Sequence, residues 1–382
     1  MNNEIKLRGT ISKTYFLLRY SIVLMFFFST FSAFAQTDST SLMARGLKSY
    51  NNGQYADAKL IFSGVLIFDK TNTEALYYRA NCEYFLNDYK TSVEDFAQLV
   101  KINGSDTRFL IGYGRGLNSI GKYKKAIPWF DKALLINDKL ALAYNMRGFS
   151  LESMGKYQAA FDNFNQAIHA DSNLAIAYLN RGSAIYSNQN IEKASKQDIL
   201  KAISDFTKAI SLEPDICICW QNRAVLYKML KEYNKSIADF DKAVECSPDS
   251  INILGRASVK NMTGDYKGAQ EDCLHVISMN KKMPVTYLEL SIAQAGLGYY
   301  DEALKDCDDL VKVNKRYRML AAFQMARIYA VSGNKTNMLV YLKKVKHMGY
   351  FDYKDNKTDF YADKSFKSYS MDKDFREFLS KL

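Results

Sequence analysis

A period of 34 residues runs through most of this 382-residue chain and limits its fold more than any other feature. The clearest copy is WQNRAVLYKMLKEYNKSIADFDKAVECSP, from Trp220 to Pro248. Within it Ala224, Tyr227, Tyr233, Ser236, Ile237, Phe240 and Ala243 fall at helical spacing, and the pattern breaks near Lys231 and Glu232. The stretch predicts two antiparallel helices joined by a tight turn. With Trp220 set at place 4, place 8 reads Gly46, Ala80, Gly114, Gly148, Gly182, Ala224, Ala257, Ser291 and Ala326 in successive copies. A small residue at one recurrent place points to helix axes that approach to about 8–10 Å, where a large side chain would hold them apart.

Small residues also recur at places 20 and 27, and large ones at places 4, 17 and 24, as Tyr144, Tyr157, Ala160, Phe164 and Ala167 show in the copy around Gly148. This filling resembles the tetratricopeptide repeat. The resemblance implies an all-α, right-handed α-solenoid of stacked helix hairpins with a concave face for protein ligands. About nine repeats cover residues 39–348. Repeat three holds Pro128 about five residues into its second helix, which predicts a slightly displaced first turn, not a break. In repeat five, Ala202, Phe206 and Ala209 arrive eight residues late, so an insertion is expected near 190–197. Repeat nine keeps Ala326, Tyr329 and Gly333 but has Met338 where a small residue belongs. Residues 349–382 are rich in Tyr and Phe and resemble the closing segment that covers the last repeat of such an array.

The first 35 residues have a different character. Lys6, Arg8, Lys13 and Arg19 precede an apolar run from Ile22 to Phe28, then SAFAQ, the layout of a secretory signal cleaved after Ala35. The run is short and broken by Ser21, Ser29, Thr30 and Ser32, which disfavours a membrane anchor. The expectation is an exported protein of the bacterial periplasm or cell envelope, possessing no transmembrane segment once cut and beginning at Gln36. Export raises the question of disulfides among six cysteines. Cys273 and Cys307 stand at place 24, where other repeats carry Phe, and read as core residues; a bridge from Cys246 to Cys217 or Cys219 is the open pairing.

Net charge is +11, and the segment from Leu310 to Leu382, with 16 basic and 7 acidic residues, carries +9 of it. Its lysines are interspersed with aspartates, which favours a solvated surface over a nucleic-acid patch. A second periodic pattern joins place 7 to place 23: Arg79 with Asp95, Arg181 with Asp205, Arg223 with Asp239 and Arg256 with Asp272. Facing helices of one hairpin would bring such pairs into bidentate contact. Arg45 and Arg147 lack an acid at place 23.

No catalytic constellation is visible. His169, His275 and His347 are scattered without metal-binding spacing, Cys217 and Cys219 form an isolated CxC, and phosphate-loop, dinucleotide and GxSxG motifs are missing. No cofactor and no metal are expected, and the chain reads as a non-enzyme. The resemblance instead directs attention to places 2, 5, 6, 9 and 12 of each first helix, which line the concave face. The candidate partner contacts are Asn81, Arg115, Asn118, Asn145, Phe149, Asn180, Ser183, Tyr186, Gln221, Asn222 and Lys228. Amides and aromatics there suit an extended peptide. Some members of the family clamp a partner's C-terminal carboxylate with cations at places 2, 5 and 6; here Asn145, Phe149, Asn180, Ile218 and Asn222 stand at the matching places, so those cations are missing. The reading is a protein-binding scaffold of the envelope. Its alternatives are a surface-associating protein whose basic C-terminal region meets acidic polymer or lipid, and an accessory subunit of an envelope enzyme or secretion machine.

Overall fold

A computed structural model describes residues 40–188 and 194–382. The signal expected at 1–35, the start of repeat one at Ser39 and residues 190–193 of the expected insertion lie outside the described residues. The chain forms two compact units that meet in sequence at residues 188 and 189. The described part of the first contains α1 (40–51), α2 (Tyr55–Phe68), α3 (Thr73–Phe85), α4 (Tyr89–Ile102), α5 (Thr107–Ser119), α6 (Tyr123–Ile136), α7 (Ala141–Ser153), α8 (Tyr157–Ala170) and α9 (Ala175–Asn188). The second contains α10 (Lys196–Leu212), α11 (Cys217–Met229), α12 (Tyr233–Cys246), α13 (Ser250–Thr263), α14 (Tyr266–Met279), α15 (Pro284–Gly296), α16 (Tyr300–Val313), α17 (Arg318–Val331), α18 (Lys335–His347), α19 (Lys354–Ala362) and α20 (Lys373–Leu379). Short 3₁₀ turns occupy Lys315–Tyr317, Tyr350–Asp352 and Lys364–Tyr369. No strand occurs among the described residues. Each unit is an all-α stack of consecutive hairpins.

The reason for small residues at place 8 is the ring at place 24. A Cβ on Gly46, Gly114 or Gly148 would lie 2.6–2.7 Å from the rings of Phe62, Phe130 and Phe164, all fully buried. Place 15 makes the turn: Gly53, Gly121, Gly155, Gly264, Gly298 and Gly333 all have positive φ. Asn87 and Lys231 hold the same left-handed conformation with side chains attached, at φ 62° and 60°. Helix α6 runs through Pro128 without interruption. Helix α10 is 17 residues long where α8 and α12 are 14, so part of the added sequence in repeat five lengthens its second helix. Ser195 caps it, the hydroxyl accepting from the Asp198 amide at 3.1 Å.

Within the first unit α3 touches α5, α5 touches α7 and α7 touches α9, so the first helices of successive hairpins form one continuous face. The second unit repeats this with α11, α13, α15 and α17. Cys217 and Cys246 are joined as a disulfide between the start of α11 and the end of α12, with Cα atoms 5.5 Å apart. Cys219, Cys273 and Cys307 are buried free thiols. After α18 the chain folds back, and Phe351, Phe360, Phe366, Phe375 and Phe378 pack with Ala326, Met338 and Leu342 into one cluster. Met338, large where its repeat place is otherwise small, is fully buried there.

Candidate functional site

On the first-helix face of the first unit, most of the amides named from the sequence are used within the protein. Asn81 donates to the Tyr77 carbonyl at 2.8 Å and accepts from Arg115 Nη2 at 2.6 Å. Asn118 donates to the Met146 carbonyl at 3.1 Å and accepts from Ser150 Oγ at 2.7 Å. Asn145, fully buried, accepts from Asn180 Nδ2 at 3.0 Å. Apart from the Asn81–Tyr77 bond, which stays within α3, these bonds link one first helix to the next, because a buried amide facing a neighbouring helix must find partners there. They fasten the face from behind.

Other side chains remain in front. The Arg115 guanidinium lies 4.0 Å from the ring centroid of Tyr84, and the rings of Tyr123 and Phe149 stand 6.2 Å apart in edge-to-face geometry. Together with Asn118 and Asn180 they border an open cavity of about 350 Å³ whose lining has Arg115 as its charged residue. Phe149 is 39% exposed, high for a phenylalanine bordering a cavity. Ser183 is half-buried on α9, and the Tyr186 side chain lies outside the described residues. Tyr84 and Tyr123 were missed by the sequence reading; Tyr84 stands at place 12, the place that named Asn118.

The remaining candidates, Gln221, Asn222 and Lys228, sit half-buried on α11 in the second unit. Lys228 Nζ donates to Ser258 Oγ at 2.8 Å, and burial pulls its pKa below the usual lysine value. Farther along the same face, Asn261 Nδ2 donates to Glu289 Oε2 at 2.8 Å, Arg327 donates to Gln324 at 3.2 Å, and Arg327 pairs with Asp363 at 2.9 Å. Ser258, Asn261, Glu289, Gln324 and Arg327 border a cavity of about 490 Å³. They occupy places 9, 12, 6, 6 and 9, so the frame already applied to earlier repeats would have found them.

The arginines at place 7 are engaged within and between hairpins. Arg79, Arg223 and Arg256 each make bidentate contact with Asp95, Asp239 and Asp272 at 2.7–2.9 Å. Each of several arginines also reaches the preceding repeat at place 25: Arg147 to Asp131, Arg181 to Asn165, Arg223 to Thr207 and Arg256 to Asp241, at 2.6–2.9 Å. Arg147 finds Asn163 where an acid was lacking, at 2.8 Å. With the guanidinium hydrogens shared this way, these arginines hold hairpins together and are poor ligands for an external anion. Among the described residues, no group of three or more His, Cys, Asp or Glu could hold a metal, and no helix is long and apolar enough to cross a membrane.

Fold and faces together define a helical-hairpin repeat protein of the interaction-scaffold class. The family model described as tetratricopeptide repeat matches residues 141–174 and 219–250, which are repeats four and six. These two stretches are tetratricopeptide repeats, and the other hairpins share their frame. No curated protein matches it. Among solved structures, a chain of the APC/C hetero-tetramer Cut9–Hcn1 is 12% identical with a TM-score of 0.54; 75% of this chain covers 55% of that one, about half its length. A tetratricopeptide repeat protein from Parabacteroides merdae is 16% identical over 68% of this chain and 99% of its own, with a TM-score of 0.47. The human IFIT1 dimer with m7Gppp-AAAA is 16% identical over 77% and 68%, with a TM-score of 0.49. At these identities the likeness concerns the fold alone.

Proposed function

We propose that this protein is a non-enzymatic scaffold of the cell envelope that holds an extended segment of a partner protein on the first-helix face of its first unit. The observation that carries the reading is the cavity bordered by Tyr84, Arg115, Tyr123 and Phe149, where Phe149 is exposed beside two half-buried tyrosines and Arg115, steadied by Asn81 and Tyr84, is the one cation of the lining. Flat rings bind apolar side chains at small conformational cost, and the guanidinium selects an acidic residue or carboxylate beside them. Export rests on the signal-like residues 1–35; intact mass of protein recovered from cells should correspond to a start at Gln36, and retention of the leader would remove the envelope from the proposal.

The direct test uses residues 36–382 with an affinity tag to recover partners from detergent-treated envelope extract at low and moderate salt. A defined protein that persists at moderate salt and is lost when Arg115→Ala and Phe149→Ala are combined supports the face on the first unit. Capture that vanishes with salt and ignores these changes points instead to the basic C-terminal segment, since exposed charge attraction is screened within about 8–10 Å.

A further inference from the structure

The first-helix face of the second unit offers the charge opposite to that of the first. Its cavity of about 490 Å³ has one acid in its lining, Glu289, and one cation, Arg327. The Arg327 charge is already answered by Asp363 at 2.9 Å. Glu289 makes no ion pair among the described residues; Lys228, which feels its charge, is bonded to Ser258 instead. Glu289 Oε2 accepts from Asn261 Nδ2 at 2.8 Å, whereas Oε1 accepts from no described residue and is not buried. Asn261 Nδ2 also donates to the Glu289 carbonyl at 2.9 Å, so the amide can turn only one way and its Oδ1 is left buried without a partner. The uncommitted charge of the cavity is therefore negative, and a bare acceptor lies beside it.

The walls present apolar surface to an occupant. Met262 is 52% and Val331 47% exposed, and Tyr266 and Ile292 are half-buried. An apolar wall beside an unanswered carboxylate suits the methylene stem and charged head of a basic side chain. Arg327 Nη2 has no partner among the described residues and remains a donor for a main-chain carbonyl of the same occupant. A bare metal ion would use neither the wall nor this donor. The volume lies within the range of ligand sites, about 300–1,000 Å³, and admits the neighbours of a basic residue as well as its side chain.

We propose that this cavity holds the basic side chain of a partner segment, its cation on Glu289 and its stem against Met262 and Val331. The inference rests on the reading of the chain as a protein-binding scaffold but uses a face of its own, so each can fail without the other. The peptide acetyl-Gly-Leu-Arg-Leu-Gly-amide, titrated calorimetrically at low salt into residues 36–382, should bind saturably, and its counterpart with Glu in place of Arg should not displace it. Glu289→Gln keeps an acceptor for Asn261 and removes the charge; it should weaken the arginine peptide by ~10–100-fold. Val331→Lys, a surface change that brings a like charge to the cavity, should weaken it by ~10-fold or more, and keeps the test open where the glutamine disturbs folding, which circular dichroism reports. Arg115→Ala with Phe149→Ala, on the first unit, should leave this affinity unchanged. Acetylarginine amide, which brings the cation without its neighbours, should compete only at far higher concentration. Absence of saturable binding, displacement by the acidic peptide, full affinity in the glutamine or the lysine variant, loss of binding in the first-unit variant, or equal competition by acetylarginine amide overturns the proposal.

Discussion

The hairpins of repeats seven and eight share one frame and differ in how they are fastened. In repeat seven, Asp272 receives Arg256 in bidentate contact and Lys260 at 2.9 Å, and Arg256 extends to Asp241 at 2.8 Å. Repeat eight keeps the acid, Asp306, but carries Leu290 and Gln294 at the places of Arg256 and Lys260. Asp306 is buried, and its Oδ2 has no hydrogen-bond partner among the described residues; neither does Gln294 Oε1. Repeat six, on the other side, has the clamp of Arg223 on Asp239 and a disulfide besides. One acid at one place thus serves as an anchor in two hairpins and as a liability in the third. A buried carboxylate is worth keeping charged only where a cation meets it.

The largest effect expected from this difference lies in repeat six. Reducing Cys217–Cys246, separated by 29 residues, should cost roughly 3–4 kcal/mol by freeing the unfolded chain. Thermal unfolding with and without reductant measures it, and alkylation should mark these two cysteines first. The buried thiols resist, because burial raises the Cys219 and Cys307 pKa values to about 12. An unchanged melting curve would mean that the bridge adds nothing to the clamp.

Next comes the clamp itself. Arg256→Ala strands Asp272 beside Lys260 alone and leaves Asp241 without its partner, for an expected loss of about 3 kcal/mol. Leu290→Ala in repeat eight should cost a similar amount, but through a cavity. The two are separated by salt and pH: only the arginine variant should change its response to them. Identical responses would show that the ion pairs of repeat seven are ornamental in energy.

Asp306 gives the comparison a pH signature. Burial, reinforced by the charges of Asp309 and Glu302 and only partly offset by Lys305, raises its pKa to about 7. The folded state then holds a proton that the unfolded chain, with an ordinary value near ~3.9, has already released. Stability is full below about pH 4, declines as pH rises toward 7 and levels off above it, the sign opposite to that of a salt-bridged aspartate. Asp306→Asn should remove that residue's whole share of the decline, on the order of 4 kcal/mol for a shift of about three units. Leu290→Arg, which restores the partner present in repeat seven, should reverse its direction. Glu83 in the first unit shares the upward shift to about 7, from burial and then from Asp95, so a residual decline in the Asn variant is expected from that residue.

These contrasts also mark what the sequence could and could not disclose. Place 8 was readable because backbone proximity tolerates few residues, and Gly148 against Phe164 leaves no room for a Cβ. The pairing of Arg79 with Asp95 was readable because both charges return at a fixed interval. The second partner at place 25 was not, since Asp131, Asn165, Thr207 and Asp241 share hydrogen-bond acceptance but no residue type. The candidate face was legible only as a position: places 5, 6, 9 and 12 fall on the first helices of the hairpins, yet nothing in a sequence says that Asn145 spends itself on Asn180 while Phe149 is exposed. The packing of the C-terminal segment was invisible, because how Phe360, Phe366 and Phe375 meet lies outside any repeat.

The smallest effect is at the turns, and there the comparison runs the other way. Repeats seven and eight turn on Gly264 and Gly298, both at φ 85°, whereas repeat six, otherwise the best fastened, turns on Lys231 at φ 60°. A side chain in the left-handed region costs roughly 1–2 kcal/mol, and glycine returns part of that gain through the greater freedom of its unfolded chain. Lys231→Gly should therefore stabilise by ~0.5–1 kcal/mol, seen as a rise in melting temperature, with Gly264→Lys lowering it by a larger amount. If Lys231→Gly were neutral or destabilising, contacts of the lysine with repeat six would have to offset the strain, and the conformation at place 15 would cease to be a matter of backbone alone.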